Sequence, residues 1–126
     1  MKKKIYYHDT DCGGIVYYAN YLKFFEEART EFFEQKDLAL KKLAEDRILF
    51  VVVRQEIDYK CPAHYADELT ITTKIENISL VKIEFKHEVK NQNNDLICVA
   101  KTIMACIGSD FKPRQIPEDL KNRLLS

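Results

Sequence analysis

The chain has few of the residues and patterns that mark metal-binding or disulfide-rich proteins. It contains no tryptophan, three histidines and four cysteines in 126 residues. No two cysteines have CxxC spacing and no HExxH motif is present, so neither a metal site nor a disulfide framework is expected. The four cysteines, Cys12, Cys61, Cys98 and Cys106, are therefore predicted to be free thiols.

An excess of one charge and long apolar runs are also missing. Lys plus Arg and Asp plus Glu each number 20, so the zero net charge gives no indication of a nucleic-acid partner. No run approaches the roughly 18 apolar residues of a membrane span. The basic start, MKKK, is followed by IYYHDTD rather than by the apolar segment of a signal peptide. We therefore expect a cytoplasmic protein without a membrane span.

The hydrophobic pattern predicts helices first and strands afterwards. A short strand at Ile5–Tyr7 precedes a helix over 20–35, whose apolar stripe is wide enough to be covered on more than one side. A shorter helix is predicted at 38–46. Four strands and a last short helix follow, at 48–59, 68–79, 82–90, 96–108 and 118–125. Because four consecutive strands follow one main helix, we expect a single α+β domain over 1–126, with the helix on one face of an antiparallel sheet.

The most informative stretch is KIYYHDTDCGGIVYYANYLKFFEEAR, residues 4–29. It places two acids, Asp9 and Asp11, and two glycines, Gly13 and Gly14, just before the long helix. Backbone N–H groups at a helix N-terminus lack intrahelical partners, and the helix dipole favours negative charge there. A carboxylate beside such a terminus can attack a carbonyl or activate water, while the N–H groups hold the oxyanion. From the residues alone, Asp11 could equally be a turn-capping carboxylate.

The residues of this stretch also follow the order of a known family signature. They are Tyr7, Asp9, Thr10, Asp11, Gly13, Gly14, Val16, Tyr17, Ala19, Asn20, Tyr21, Leu22, Phe24, Phe25, Glu26, Ala28 and Arg29. In this order they resemble the 4-hydroxybenzoyl-CoA thioesterase family, and within it the YbgC branch, which is often encoded beside the Tol-Pal envelope system. A looser echo of the family covers residues 59–69.

The resemblance implies a hotdog fold, in which an antiparallel sheet of about five strands wraps a long central helix. It implies hydrolysis of acyl-CoA thioesters by a homodimer or homotetramer. It implies no cofactor, because coenzyme A is part of the substrate, and it makes acyl carrier protein a further candidate partner.

The resemblance also assigns roles to residues of the loop. Asp11 is implied to be the general base or the nucleophile, with Asp9 as the less favoured alternative. The backbone N–H of Tyr18, where the branch usually has His, is implied to bind the oxyanion, so Tyr18 is the second catalytic candidate. Gly13 and Gly14 would let the backbone approach the thioester closely.

Further residues, outside the glycines and Asp11, are candidates for binding the substrate. Tyr7 could lie near the site, or it could be a core aromatic on its strand. Phe50 and Val51 are expected to line the acyl pocket from a neighbouring subunit. Three lysines, Lys60, Lys82 and Lys86, could meet the phosphates of CoA, and Lys82 is the one we assign to binding.

Other functions stay open from the sequence. A hotdog dehydratase acting on hydroxyacyl thioesters pairs a His with an acid, and His8 is the only histidine close in sequence to Asp11. A non-catalytic module that binds acyl thioesters or acyl carrier protein is another alternative, which the intact Asp11 and glycines disfavour. A nucleophilic Cys12 is disfavoured because no Cys-His signature accompanies it.

Overall fold

The computed structural model describes all 126 residues as a five-stranded sheet with one long helix and two short ones. In chain order the elements are β1 Lys2–Lys4, α1 Asn20–Gln35, α2 Leu40–Glu45, β2 Leu49–Tyr59, β3 Glu68–Ile78, β4 Lys82–Lys90, β5 Leu96–Ile107 and α3 Glu118–Leu125. A 3-10 turn at Tyr7–Asp9 separates β1 from α1. The strand order is β1-β3-β4-β5-β2, and every neighbouring pair is antiparallel. This confirms the predicted α+β architecture.

The position of the first strand differs from the one predicted from the sequence. The sequence predicts it at Ile5–Tyr7, but it lies at Lys2–Lys4, and Tyr7 instead begins the 3-10 turn with 80% of its surface exposed. The interpretation of Tyr7 as a core aromatic is therefore wrong. Because β1 is an edge strand that pairs only with β3, its lysine side chains can reach water. Ile5, directly after the strand, is fully buried.

The apolar core consists of two clusters along α1. One contains Phe24 and Phe25 of the first half of the helix, and the other contains Phe33 of the second half. The sheet supplies its buried side chains to both clusters, as the alternation of buried and partly exposed residues along β4 shows. None of the helices is long and apolar enough to cross a membrane.

A buried polar layer, which the sequence analysis did not predict, crosses the inner face of the sheet. Arg29 on α1 is 6% exposed, and its Nη1 lies 3.3 Å from Oγ1 of Thr102 and 3.4 Å from Nε2 of His87. Thr73 Oγ1 lies 3.0 Å from Nδ1 of His87, and the Thr102 hydroxyl donates to Oε1 of Gln55 at 2.7 Å. These hydrogen bonds tie the middle of α1 to β3, β4, β5 and β2.

The polar layer also sets the charge of its members. Burial, and to a lesser extent the charge of Arg29, lowers the pKa of His87 to about 3, so the fully buried imidazole is neutral near pH 7. Burial likewise lowers the pKa of Arg29, which has no carboxylate partner in the chain.

The sheet ends in two edge strands of very different length. β1 has 3 residues, whereas β2 has 11 and exposes three consecutive valines, Val51, Val52 and Val53, by 38%, 47% and 52%. A long edge strand with exposed apolar side chains is a template for pairing with another chain. The free edge of β2 is therefore a candidate contact surface.

Candidate active site

The Asp11 loop is a small hairpin closed by backbone hydrogen bonds. Thr10 pairs with Val16, and the N–H of Asp11 donates to the carbonyl of Ile15 at 2.9 Å. Gly14 at the tip has φ +78°, in the left-handed region that glycine adopts without strain, and its N–H donates to the Asp11 carbonyl at 3.0 Å. The hairpin therefore fixes the backbone conformation of Asp11.

The carboxylate of Asp11 is exposed and only half engaged. Its Oδ1 accepts the N–H of Gly13 at 2.8 Å, whereas Oδ2 has no hydrogen-bond partner in the chain. A Cβ at position 13 would lie 3.2 Å from Oδ1, so glycine there leaves room for this turn. Asp11 thus caps its own turn, as a loop aspartate is expected to do, and still offers one free oxygen.

Asp9 has a different environment. It is 6% exposed, its Oδ2 accepts the N–H of Tyr6 at 2.9 Å, and its Oδ1 lies 3.5 Å from Nε2 of His8. Its carbonyl accepts the N–H of Tyr17 at 3.0 Å and Nδ2 of Asn20 at 2.8 Å. Asp9 therefore joins the base of the hairpin to the start of α1, and one of its carboxylate oxygens accepts a backbone N–H.

The residues before α1 carry backbone N–H groups without partners. The N–H of Asn20 donates to the Tyr17 carbonyl at 2.9 Å, but the N–H groups of Tyr18 and Ala19 donate to no group in the chain. Because the N–H of Tyr17 donates to the carbonyl of Asp9, this segment lies at the base of the hairpin that carries Asp11. Unpaired donors and a carboxylate on one small loop are the parts that stabilise an oxyanion and activate water.

A mainly apolar cleft of about 330 Å³ opens beside the hairpin. Its lining residues are Ile15, Val16, Tyr18, Tyr21, Tyr59, Lys60, Cys61 and Pro62. The Tyr59 hydroxyl donates to the carbonyl of Tyr18 at 3.0 Å, and the Tyr59 ring lies edge-on to Tyr21 with centroids 5.7 Å apart. Burial raises the pKa of Tyr21 and of Tyr59, so both phenols are neutral at physiological pH.

Comparison with known proteins identifies the family. The thioesterase-like superfamily matches residues 6–124. The chain belongs to this superfamily. It is 34% identical over 118 residues to the acyl-CoA thioester hydrolase YbgC of Escherichia coli O6:H1, an alignment that covers 93% of this chain and 88% of the relative. It is 35% identical over 120 residues to the acyl-CoA thioesterase YbgC of Haemophilus influenzae, covering 94% and 88%.

A solved structure shares the fold of this chain. A 1,4-dihydroxy-2-naphthoyl-CoA thioesterase from Synechocystis superposes with a TM-score of 0.91 at 23% identity, covering 100% of this chain and 94% of that one. At this identity the likeness shows the fold alone. Together the comparisons confirm the predicted hotdog fold, the YbgC-like resemblance and the assignment of the chain as a thioesterase.

In this thioesterase, Tyr7 lies at the base of the hairpin. Its carbonyl accepts the N–H of Thr10 at 3.1 Å and the Thr10 hydroxyl at 2.7 Å. Its exposed ring lies edge-on to that of Tyr65, with centroids 5.8 Å apart. Tyr7 therefore belongs to the same loop as Asp11, although it is not a strand aromatic.

The other predicted binding residues lie at the far end of the sheet within one chain. Phe50 and Val51 are near the start of β2, and Lys82 begins β4, whereas Tyr59 at the end of β2 borders the cleft. Tyr59 lies nine positions after Phe50 along the strand, a distance of about 30 Å. A single chain therefore does not bring these three residues to the Asp11 loop.

The structure also places residues near the loop that the sequence analysis did not select. Tyr59 and Pro62 line the cleft, and both lie in the segment where the family resemblance is looser. His64 pairs through its backbone with Ile15, so His8 is not the only histidine close to the hairpin. The His64 ring lies 3.9 Å from Oδ2 of Asp67 and makes no hydrogen bond to Asp11.

Proposed function

We propose that this thioesterase hydrolyses acyl-CoA thioesters to a free acid and coenzyme A. The observation that carries the proposal is the exposed Asp11 carboxylate, with one free oxygen, on the loop whose base holds the unpaired N–H groups of Tyr18 and Ala19. Coenzyme A as the acyl carrier is supported by the names of the two YbgC relatives.

The proposed reaction uses Asp11 in one of two ways. As general base, it takes a proton from water while the water oxygen attacks the thioester carbonyl carbon. As nucleophile, it attacks the carbonyl itself and forms an acyl-Asp11 anhydride that water then hydrolyses. In both routes the C–S bond breaks, and the thiolate of CoA leaves and takes up a proton. The reaction consumes only water and needs no metal or added cofactor.

The remaining loop residues have supporting roles in this proposal. The N–H of Tyr18 donates to the carbonyl oxygen as it becomes an oxyanion, and this donor survives whichever side chain stands there. Gly13 and Gly14 leave the thioester free to approach the backbone. Tyr7 borders the loop, and the apolar cleft takes up hydrocarbon parts of the substrate.

The proposed active form is a homodimer paired along β2, alone or as half of a tetramer. An antiparallel pairing of two β2 strands about a two-fold axis near Arg54 sets the partner's Phe50 opposite Asp58 of this chain. That register carries the partner's Phe50 and Val51 to the end of β2 where Tyr59 borders the cleft. The acyl pocket is then shared between the subunits.

The experiment that tests the function is release of free thiol from a panel of acyl-CoA and acyl-carrier-protein thioesters, followed spectroscopically. We expect steady thiol release from at least one acyl-CoA. Binding of acyl-CoA without thiol release from any thioester would instead assign a binding module. Conversion of a hydroxyacyl thioester to the unsaturated one, again without thiol release, would assign a dehydratase.

A further inference from the structure

The hydroxyl of Tyr59 contacts the segment that carries the unpaired N–H groups of the candidate site. Tyr59 is the last residue of β2, and its hydroxyl donates to the carbonyl of Tyr18 at 3.0 Å. We propose that Tyr59 is a positioning residue, which fixes the peptide between Tyr18 and Ala19 so that the N–H of this peptide stabilises the oxyanion together with the N–H of Tyr18. The inference rests on the proposed hydrolysis of acyl-CoA.

The carbonyl of Tyr18 depends on this one hydrogen bond. In a regular helix it would accept the N–H of the residue four positions on, but the N–H of Leu22 donates to the carbonyl of Ala19 at 3.2 Å. No other backbone or side-chain group of the chain donates to the Tyr18 carbonyl. Because α1 begins only at Asn20, the helix does not fix the peptide before Ala19, and the Tyr59 hydroxyl does.

The geometry of the peptide connects this contact to the N–H of Ala19. Every peptide bond of the chain is trans, and in a planar trans peptide the C=O and the N–H point in opposite directions. A hydroxyl that holds the Tyr18 carbonyl on one side therefore directs the N–H of Ala19 to the other side, where no group of the chain accepts it. The hydrogen bond at the carbonyl also polarises the peptide, which makes the opposite N–H a stronger donor.

Packing and protonation keep the Tyr59 hydroxyl available as a donor. The ring lies edge-on to those of Tyr18 and Tyr21, with centroids 6.4 Å and 5.7 Å apart, and the backbone pairs with Cys98 of β5. Because burial raises the pKa of Tyr59, the phenol keeps its proton near neutral pH. The strand and the two neighbouring rings thus hold a protonated hydroxyl against the Tyr18 carbonyl.

A role of Tyr59 as proton donor to the leaving thiolate fits these contacts less well. A phenol has one hydrogen to donate, and in Tyr59 that hydrogen is engaged by the Tyr18 carbonyl. Its transfer to the thiolate of CoA would break the hydrogen bond that holds the peptide. The two roles also differ in their consequences, because only the positioning role acts through the N–H of Ala19.

The first test is Tyr59→Phe, which keeps the ring in the cleft and removes the hydroxyl. We expect kcat for an acyl-CoA to fall about threefold to tenfold, as for the loss of one neutral hydrogen bond. KM should change by less than about twofold, because the contact supports an interaction that is made only in the transition state. The matched control is Tyr6→Phe, which removes the same group from a half-exposed tyrosine outside the cleft and keeps the wild-type kcat.

The second test removes the N–H of Ala19 itself. Ala19 has φ −76°, within the range of proline, so Ala19→Pro deletes this donor at a compatible backbone angle. We expect kcat to fall about a hundredfold, as for the loss of one oxyanion donor. If Tyr59 acts through this N–H, adding Tyr59→Phe to Ala19→Pro lowers kcat no further. Urea unfolding checks that each variant is folded, and the kcat and KM of Tyr59→Phe alone decide the matter if Ala19→Pro does not fold.

Several results would overturn the positioning role. One is a folded Tyr59→Phe protein with the wild-type kcat, whether or not its KM rises. Another is the same loss of kcat when Tyr59→Phe is added to the wild type and to Ala19→Pro, which would assign the hydroxyl to a separate step such as protonation of the thiolate. A wild-type protein that releases no thiol from any acyl-CoA contradicts the proposed function itself, and this outcome differs from hydrolysis that proceeds without the Tyr59 hydroxyl.

Discussion

Asp9 and Asp11 stand two residues apart, yet the fold uses them differently. The Asp9 carboxylate is buried, and its Oδ2 accepts a backbone N–H, whereas the Asp11 carboxylate is exposed and its Oδ2 is free. The sequence could not decide between turn capping and catalysis at Asp11. A carboxylate has two oxygens, so one can cap the turn while the other stays free to react. The two interpretations turn out to be compatible at this residue.

At Cys12 we expect little dependence of activity on the thiol. The side chain is exposed, and none of the hydrogen bonds or ion pairs of the histidine rings involves it. A thiol without a base or cation to ionise it is a weak nucleophile near neutral pH. Cys12→Ser should therefore keep most of the wild-type rate of thioester hydrolysis. A folded Cys12→Ser protein without any hydrolysis would point to a covalent thiol mechanism.

The burial of His87 should make the stability of the folded protein depend on pH. Its pKa is about 3 in the folded protein, lowered by burial and by Arg29, against about 6.5 in an unfolded chain. The unfolded state therefore binds a proton at His87 more tightly than the folded state does. As a result, the contribution of neutral His87 to the unfolding free energy is complete above pH 6.5 and declines as the pH falls toward 3. The decline is about 1.4 kcal/mol per pH unit over that window.

The measurement is urea unfolding at pH 7 and pH 5 of the wild type and of His87→Gln, which can still hydrogen-bond to Thr73. The wild type should lose about 2 kcal/mol more of its unfolding free energy between the two pH values than the variant does. An identical loss in both proteins would show that His87 does not titrate on unfolding.

At the scale of elements, the long strands and α1 are predicted closely because their apolar patterns are strong. Alternation along 82–90 and the broad stripe of 20–35 give bounds that the structure reproduces. β1 is displaced in the prediction because an edge strand of three lysines carries no apolar signal. The polar layer escapes prediction because Arg29 and His87 are 58 residues apart and meet only in the fold.

The hairpin supplies a prediction about its two glycines. Gly14 has φ +78° and open space around it, so a Cβ there meets only backbone strain. Gly14→Ala should lower the unfolding free energy by about 1–2 kcal/mol. Gly13→Ala instead sets a methyl group 3.2 Å from Oδ1 of Asp11, so it should reduce kcat more than stability.

Urea unfolding and steady-state kinetics of both glycine variants check this contrast. Equal effects on stability and on kcat in the two variants would contradict the separate roles of the two positions. A Gly14→Ala protein as stable as the wild type would show that the hairpin relaxes out of the left-handed region.

At the scale of the whole molecule, the free edge of β2 predicts an oligomer. We expect light scattering to give at least twice the chain mass of 14.8 kDa. Val53→Asp would place like charges at the pairing edge of two copies, and it should shift the mass toward the monomer and reduce hydrolysis. Asn93→Asp, which adds the same charge on the exposed β4–β5 turn, is the control. A fully active monomer would contradict the shared acyl pocket.

Separation along the chain explains which parts of the candidate site the sequence could predict. Asp11, Gly13 and Tyr18 lie within eight consecutive residues, so their closeness in space can be predicted from the sequence. Phe50 and Lys82 are far from that segment within one chain, and only a second subunit could bring such residues to it. A sequence read as a single chain contains no direct signal for that contact.

The most direct test of the central claim is the kcat of Asp11→Asn for an acyl-CoA that the wild type hydrolyses. Asparagine fits the same turn and keeps an oxygen for the N–H of Gly13, so the fold should be retained, which circular dichroism and urea unfolding check. We predict a loss on the order of a hundredfold or more in kcat. Near-wild-type turnover by folded Asp11→Asn, together with an inactive but folded Asp9→Asn, would assign the chemistry to Asp9 and contradict the catalytic role of Asp11.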